Sequence, residues 1–174
     1  GDGPLRPTLE NHSIFNKEDN VVWWGYEADQ RKRVALLQIA EVFLLPSLVE
    51  GLSIALLEAM ATGTACVATD AGADGEVLEN GAGIILNTEG VTSQLRTLLP
   101  VLRDQPVLTH ELGKRARLRV EEKYTLQQNI DSLDTLYTNV LRSSNTKPHQ
   151  PIGDSSERPK QLLQSKQISS PQVQ

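Results

Sequence analysis

Two carboxylates separated by seven residues, Glu50 and Glu58, carry the chemistry in this chain. They lie in the run Pro46-Ser47-Leu48-Val49-Glu50-Gly51-Leu52-Ser53-Ile54-Ala55-Leu56-Leu57-Glu58-Ala59-Met60-Ala61-Thr62-Gly63. Ser53 is a helix-capping residue type, and Gly51 permits a tight turn before it. A helix from about Ser53 to Ala61 therefore starts with unpaired amide N–H groups at its mouth, which with the helix dipole form an anion site. The carboxylate of Glu58 offers two acceptor oxygens at the spacing of a vicinal diol. The helix is apolar nearly all round, as a buried helix is. A buried carboxylate on it needs compensation. Either a protein cation satisfies Glu58, or its end of the helix lines a site where a ligand does.

These residues must be positioned by strands. Val42–Leu45 is an apolar run that ends at Pro46 and reads as a buried strand. Val21–Trp24, β-branched and aromatic, reads as another and stops at Gly25. Asp29 opens a helical pattern with Val34, Leu37, Ile39 and Ala40 facing inward. Ala65–Thr69 and Gly83–Leu86 read as further strands, with one helical turn at Glu76–Leu78. Alternation at this spacing predicts an α/β fold: a Rossmann-like parallel sheet with helices on both faces. Ligands bind such sheets beyond the carboxyl ends of the strands. The loops Gly1–Pro4, Gly25–Tyr26, Ser47–Ser53 and Asp70–Gly75 all fall there.

After Leu86 the pattern is helical: Val91–Leu102, about Leu108–Lys123, and a third helix opened by Thr125 and Gln128 in capping-box spacing. The third helix has apolar positions at Leu126, Ile130, Leu133, Tyr137, Val140 and Leu141, a face expected to pack against the domain. Residues 1–7 read as turn chemistry and Thr8–Phe15 as a short, ambiguous segment. Residues 1–142 form one domain. Residues 143–174 hold four of the nine prolines and no aromatic, a composition that predicts a disordered tail.

Composition excludes several classes. Net charge is −5 without a basic run, so there is no nucleic-acid footprint. No apolar stretch approaches the ~20 residues of a membrane span, and no signal peptide is visible. The single cysteine, Cys66, sits in an apolar run and reads as a buried small hydrophobe. His12, His110 and His149 are scattered and form no metal set. Gly1-Asp2-Gly3-Pro4 is not the G-x-G-x-x-G of a dinucleotide turn.

The context P-S-x-x-E-G-L-S-x-x-x-L-E-A-M-A-x-G resembles the E-x7-E motif of retaining glycosyltransferases of the GT-B fold, group 1 (family 4). The resemblance covers about residues 1–141, most of that fold's C-terminal, nucleotide-sugar-binding domain. It implies a diphosphate at Glu50-Gly51-Leu52-Ser53, ribose hydroxyls on Glu58, and the donor hexose on Glu50, which helps stabilise charge growing at the anomeric carbon. Tyr26 lies either near the base, as the family's equivalent loop does, or exposed in its loop. The donor would be a nucleotide sugar, used without metal or other cofactor.

Departures from the family pattern are Ala73 in place of the second glycine of G-G-x-x-E, and Thr64 where proline is common. The family's basic pair for the diphosphate would precede Gly1. The resemblance thus implies an N-terminally truncated half, missing its acceptor domain, cytoplasmic, with membrane contact only through that missing domain, and inactive alone. The alternative is a non-catalytic nucleotide-binding or partner-docking fragment working with a separate N-terminal half. A GT-B sugar-nucleotide epimerase is disfavoured by the P-S-x-x-E-G-L-S run.

Overall fold

A computed structural model describes residues 2–12 and 21–145. Two compact units are distinguished, residues 1–132 and 133–174. The tail expected to be disordered lies, from residue 146 onward, outside the described residues.

The first unit is built on a three-stranded parallel sheet, β1 (Val42–Leu45), β2 (Ala65–Thr69) and β3 (Ile84–Leu86), in that order. Val42 faces Ala65 across the first ladder, and Val67 faces Ile84 across the second. All five residues of β2 are buried, as the middle strand of a sheet covered on both sides must be. Its side chains alternate between two apolar clusters. Cys66 and Ala68 join Leu56, Ala59 and Met60 on one face. Ala65 and Val67 join Leu86, Leu102 and Leu112 on the other.

Seven helices are described: α1 (Arg6–Glu10), α2 (Gln30–Ile39), α3 (Ile54–Ala61), α4 (Asp74–Val77), α5 (Val91–Asp104), α6 (Pro106–Lys123) and α7 (Leu126–Asn145). Asp29 caps α2 by accepting the Arg31 amide. The α3 helix packs on the first cluster and α5 on the second, while α6 supplies Leu112 to one and Ala116 and Val120 to the other. The sheet thus has helices on both faces, as the alternation predicts.

The end of α3 is a two-bond cap. Gly63, at φ +78°, donates to Met60, and Thr64 donates to Ala59. The Gly63 carbonyl then meets α6 at Gly113, where a Cβ would lie 2.0 Å from that oxygen. Only glycine allows this helix to approach the turn.

Several expectations are corrected. Val21–Trp24 is not a strand. Among the described residues β1 pairs only with β2, so this segment has no ladder to join. The α1 helix starts at Arg6, inside the stretch read as turn, with Pro7 in its first turn where a missing N–H costs nothing. Ile39 is exposed rather than inward. The α3 helix buries Leu56, Ala59 and Met60 but exposes Ile54 and Ala55, so it is a surface helix with one buried face.

In α7, Thr125 and Gln128 form the reciprocal cap: Gln128 accepts the Thr125 amide at 3.1 Å, and its own amide reaches the Thr125 hydroxyl at 3.3 Å. Its apolar positions are exposed rather than buried. Leu126 and Ile130 in the first unit are exposed, as are Leu133, Tyr137, Val140 and Leu141 in the second. No described helix is long and apolar enough to cross a membrane.

Candidate functional site

The β1–α3 loop and the β2–α4 loop leave the sheet side by side. Thr69, at the end of β2, donates its hydroxyl to the Ser47 carbonyl. The Ala73 amide donates to the Gly51 carbonyl at 2.7 Å. The carboxylate of Asp74 accepts the Ser53 amide at 3.0 Å. Gly72 makes this approach possible: it sits at φ +60°, and a Cβ there would lie 2.2 Å from the Glu50 carbonyl oxygen. Gly72, not Gly51, is therefore the conformationally special glycine. Gly51 has an ordinary φ and open space where its Cβ would be, so the surface above it is accessible.

This clamp fixes the mouth of α3. The Ser53 hydroxyl accepts the Leu56 amide at 3.3 Å, and its carbonyl accepts Leu57. Among the described residues the amides of Leu52, Ile54 and Ala55 meet no acceptor. Unpaired N–H groups at the positive end of a helix favour an anion. Glu50 is half-buried beside them, and Leu52 is exposed.

Glu58 is not the buried carboxylate that the apolar helix suggests. Its side chain is 40% exposed, and among the described residues its one ionic neighbour is Arg33, with Nη2 3.8 Å from Oε1. That separation is too long for a hydrogen bond, and an ion pair this exposed is weak. The carboxylate is therefore not locked by this cation. Arg33 also donates to the carbonyls of Glu27 and Ala28, which ties the loop after Tyr26 to the Glu58 side of α3. Beneath the pair lies an apolar cavity of about 220 Å³, lined by Leu36, Leu37, Phe43 and Ala55 with Arg33 and Glu58.

Tyr26 is 78% exposed. Its amide donates to Asp2 at 2.9 Å, and Arg6 binds the same carboxylate. The Tyr26 amide, then the Arg6 guanidinium, hold the Asp2 carboxyl below its usual range. Loops far apart in sequence are thus joined in pairs, 2 with 26 and 51–53 with 73–74. Asp2 and Asp74 make these links and Arg33 adds one from the 27–28 loop to α3, three residues that the local pattern does not single out. Their partners are up to 25 residues away, beyond any capping or periodicity signal. Among the described residues no three His, Cys, Asp or Glu side chains gather as a metal set.

Residues 1–104 match the family described as "Glycosyl transferases group 1". The chain belongs to the group 1 glycosyltransferases. It is 32% identical over 144 residues to N-acetyl-alpha-D-glucosaminyl L-malate synthase of Bacillus anthracis, covering 82% of this chain and 37% of that protein. It is 42% identical over 94 residues to MMP alpha-(1->4)-mannosyltransferase of Mycolicibacterium hassiacum, covering 53% and 23% respectively. The chain thus spans little more than a third of the length of the first of these relatives.

Solved glycosyltransferase structures share the fold. Sucrose-phosphate synthase from Thermosynechococcus elongatus superposes with a TM-score of 0.67 at 23% identity, over 80% of this chain and 34% of that one. The C-terminal domain of a group 1 family glycosyl transferase from Francisella tularensis gives 0.59 at 22% identity, over 70% and 61%. The group 1 chain described here therefore has the architecture of a GT-B C-terminal domain, as the E-x7-E context implied.

Proposed function

We propose that this chain is the donor-binding domain of a retaining, metal-independent glycosyltransferase that uses a nucleotide sugar. One observation carries the reading: the mouth of α3 is clamped open, with unpaired amides at Leu52, Ile54 and Ala55 between Glu50 and Glu58. The diphosphate lies on those amides, over Gly51 and the Ser53 cap. Glu58 accepts two ribose hydroxyls. Glu50 faces the donor hexose, where its charge stabilises the positive charge that grows as the bond from the anomeric carbon to phosphate breaks. The electron pair of that bond leaves on the diphosphate, and the acceptor hydroxyl oxygen bonds to the anomeric carbon with its configuration kept, its proton passing to the departing diphosphate oxygen. Tyr26, exposed at the end of the neighbouring loop, is the candidate contact to the base.

Relatives that this chain matches are much longer. The acceptor site and further cations for the diphosphate are accordingly assigned to segments beyond these residues, with an N-terminal acceptor domain as partner. The chain alone is expected to bind nucleotide weakly and to transfer no sugar.

Nuclear magnetic resonance titration of the chain with UDP, GDP, ADP and their common sugar conjugates tests this, alongside turnover assays. The expected result is shifts at the amides of Gly51–Ala55 with at least one nucleotide, reduced about tenfold in apparent affinity by Glu58→Gln. Absence of any shift there, or wild-type affinity in Glu58→Gln, overturns the donor-site reading. Robust turnover by the chain alone overturns the dependence on a second domain.

A further inference from the structure

Asp74 is the most deeply buried carboxylate described, at 1% exposure, and the transfer chemistry above does not use it. It stands in the first turn of α4, on a different loop from Glu50 and Glu58. Its Oδ1 accepts the amide of Ser53, itself buried, from 21 residues away. No ion pair involves it among the described residues.

We propose that Asp74 is the positioning residue of the anion site: it holds the Ser53 amide, and so sets where the open amides of α3 point. This rests on the reading that the α3 mouth receives the diphosphate. Three contacts support it together. The Ala73 amide fixes the Gly51 carbonyl at 2.7 Å, the Gly72 backbone packs on Glu50, and Asp74 fixes Ser53. The β2–α4 loop thereby grips the β1–α3 loop at three successive points.

The loop that grips is itself held. Arg119 of α6, 8% exposed, donates Nη2 to the Glu76 carbonyl at 2.9 Å and Nε to the Val77 carbonyl at 3.4 Å. Its side chain ties α4 to α6, and α6 packs against both core clusters. The position of Ser53 is thus referred to the core through α4 and α6.

The choice of partner matters as much as the anchor. Asp74 takes the amide of the capping residue, whose direction an arriving anion does not need. It leaves the amides of Ile54 and Ala55 unpaired. Without Asp74 the buried Ser53 N–H loses its acceptor, and the loop must move to rehydrate it. The diphosphate then loses its seat, while ribose contact at Glu58, about one turn into α3 and beside Arg33, is kept.

The test compares wild type, Asp74→Ala and Asp74→Asn in the full chain. Affinities for uridine, UDP, guanosine and GDP are measured with hydrogen exchange of the Ser53 amide. Asp74→Ala is expected to reduce the advantage of diphosphate over nucleoside about tenfold. Nucleoside affinity is expected to stay unchanged, and Ser53 exchange to accelerate at least about tenfold. Asp74→Asn keeps an acceptor oxygen and is expected to keep both properties, a rescue that loss of general stability does not produce. Asp74→Ala with wild-type diphosphate preference and wild-type Ser53 protection overturns the proposal. Should Asp74→Ala fail to fold, Asp74→Asn decides: loss of either property with a cooperative melt overturns it, and retention of both supports it. If wild type binds no nucleotide, the donor-site reading fails by itself. Ser53 exchange in the variants then still decides whether Asp74 sets this loop.

Discussion

Arg33 stands between α3 and the loop before α2: Nη2 lies 3.8 Å from Oε1 of Glu58, while Nη1 donates to the carbonyls of Glu27 at 3.3 Å and Ala28 at 3.2 Å. Both members of the ion pair are about two-fifths exposed, so the pair itself contributes about 0–1 kcal/mol. Its role is to hold the Tyr26 loop near Glu58. Arg33→Ala is expected to lower stability by less than about 1 kcal/mol and to weaken nucleoside binding severalfold, with the extra affinity from diphosphate unchanged. Urea denaturation and titrations with uridine and guanosine check this. A loss confined to the diphosphate contradicts it.

Gly72 and Gly51 are expected to separate stability from binding. An alanine at 72 adopts φ +60° with its Cβ 2.2 Å from the Glu50 carbonyl oxygen and 2.5 Å from that of Gly51. The left-handed backbone alone costs about 1–2 kcal/mol, and the overlap forces the two loops apart. Gly72→Ala is expected to lose more than about 2 kcal/mol in denaturant melts. Gly51→Ala meets nothing within 4 Å and is expected to change stability by less than about 0.5 kcal/mol, while its methyl group obstructs the diphosphate.

Gly113 inverts an ordinary rule. In the interior of an exposed helix, glycine to alanine gains about 1 kcal/mol. Here the added Cβ lies 2.0 Å from the Gly63 carbonyl oxygen, a backbone atom that cannot swing away. Gly113→Ala is expected to destabilise by more than about 2 kcal/mol. A rise in the denaturation midpoint would refute the contact.

Burial pushes the Cys66 thiol from 9.0 up to about 12. The native state therefore keeps its proton where the unfolded chain has lost it. The contribution is complete below pH 9 and is lost as pH rises through about 12. Stability above pH 9 is expected to fall more steeply in wild type than in Cys66→Ala, which removes this group from the shared alkaline titration. Disulfide-exchange reagents at pH 8 are expected to react with Cys66 only on unfolding. Rapid reaction in the native state would show an open thiol.

Much of the scaffold was legible locally. The β1 and β2 strands coincide with their apolar runs, because both are short and flanked by strong punctuation, Pro46 at one and Gly63 at the other. The Ser53 cap and the Thr125–Gln128 box are encoded within four residues. Val21–Trp24 has the composition of a strand, but a strand also needs a neighbour, and composition carries no information about that. Glu50 and Glu58 draw attention through their spacing alone. Asp74 does not, because its meaning lies in a bond to Ser53 that only the closed fold creates. The apolar composition of α3 overstated its burial, since half of that surface faces outward beside the site.

The contact between Gly63 and Gly113 joins main chain to main chain, with no side chain between them to act as a cushion. A shift at that junction passes undamped from α6 to the start of β2. That junction lies at the start of β2, at the opposite end of the strand from the loops that carry Ser53 and Asp74, so the spacing of α6 and the sheet is fixed by backbone alone.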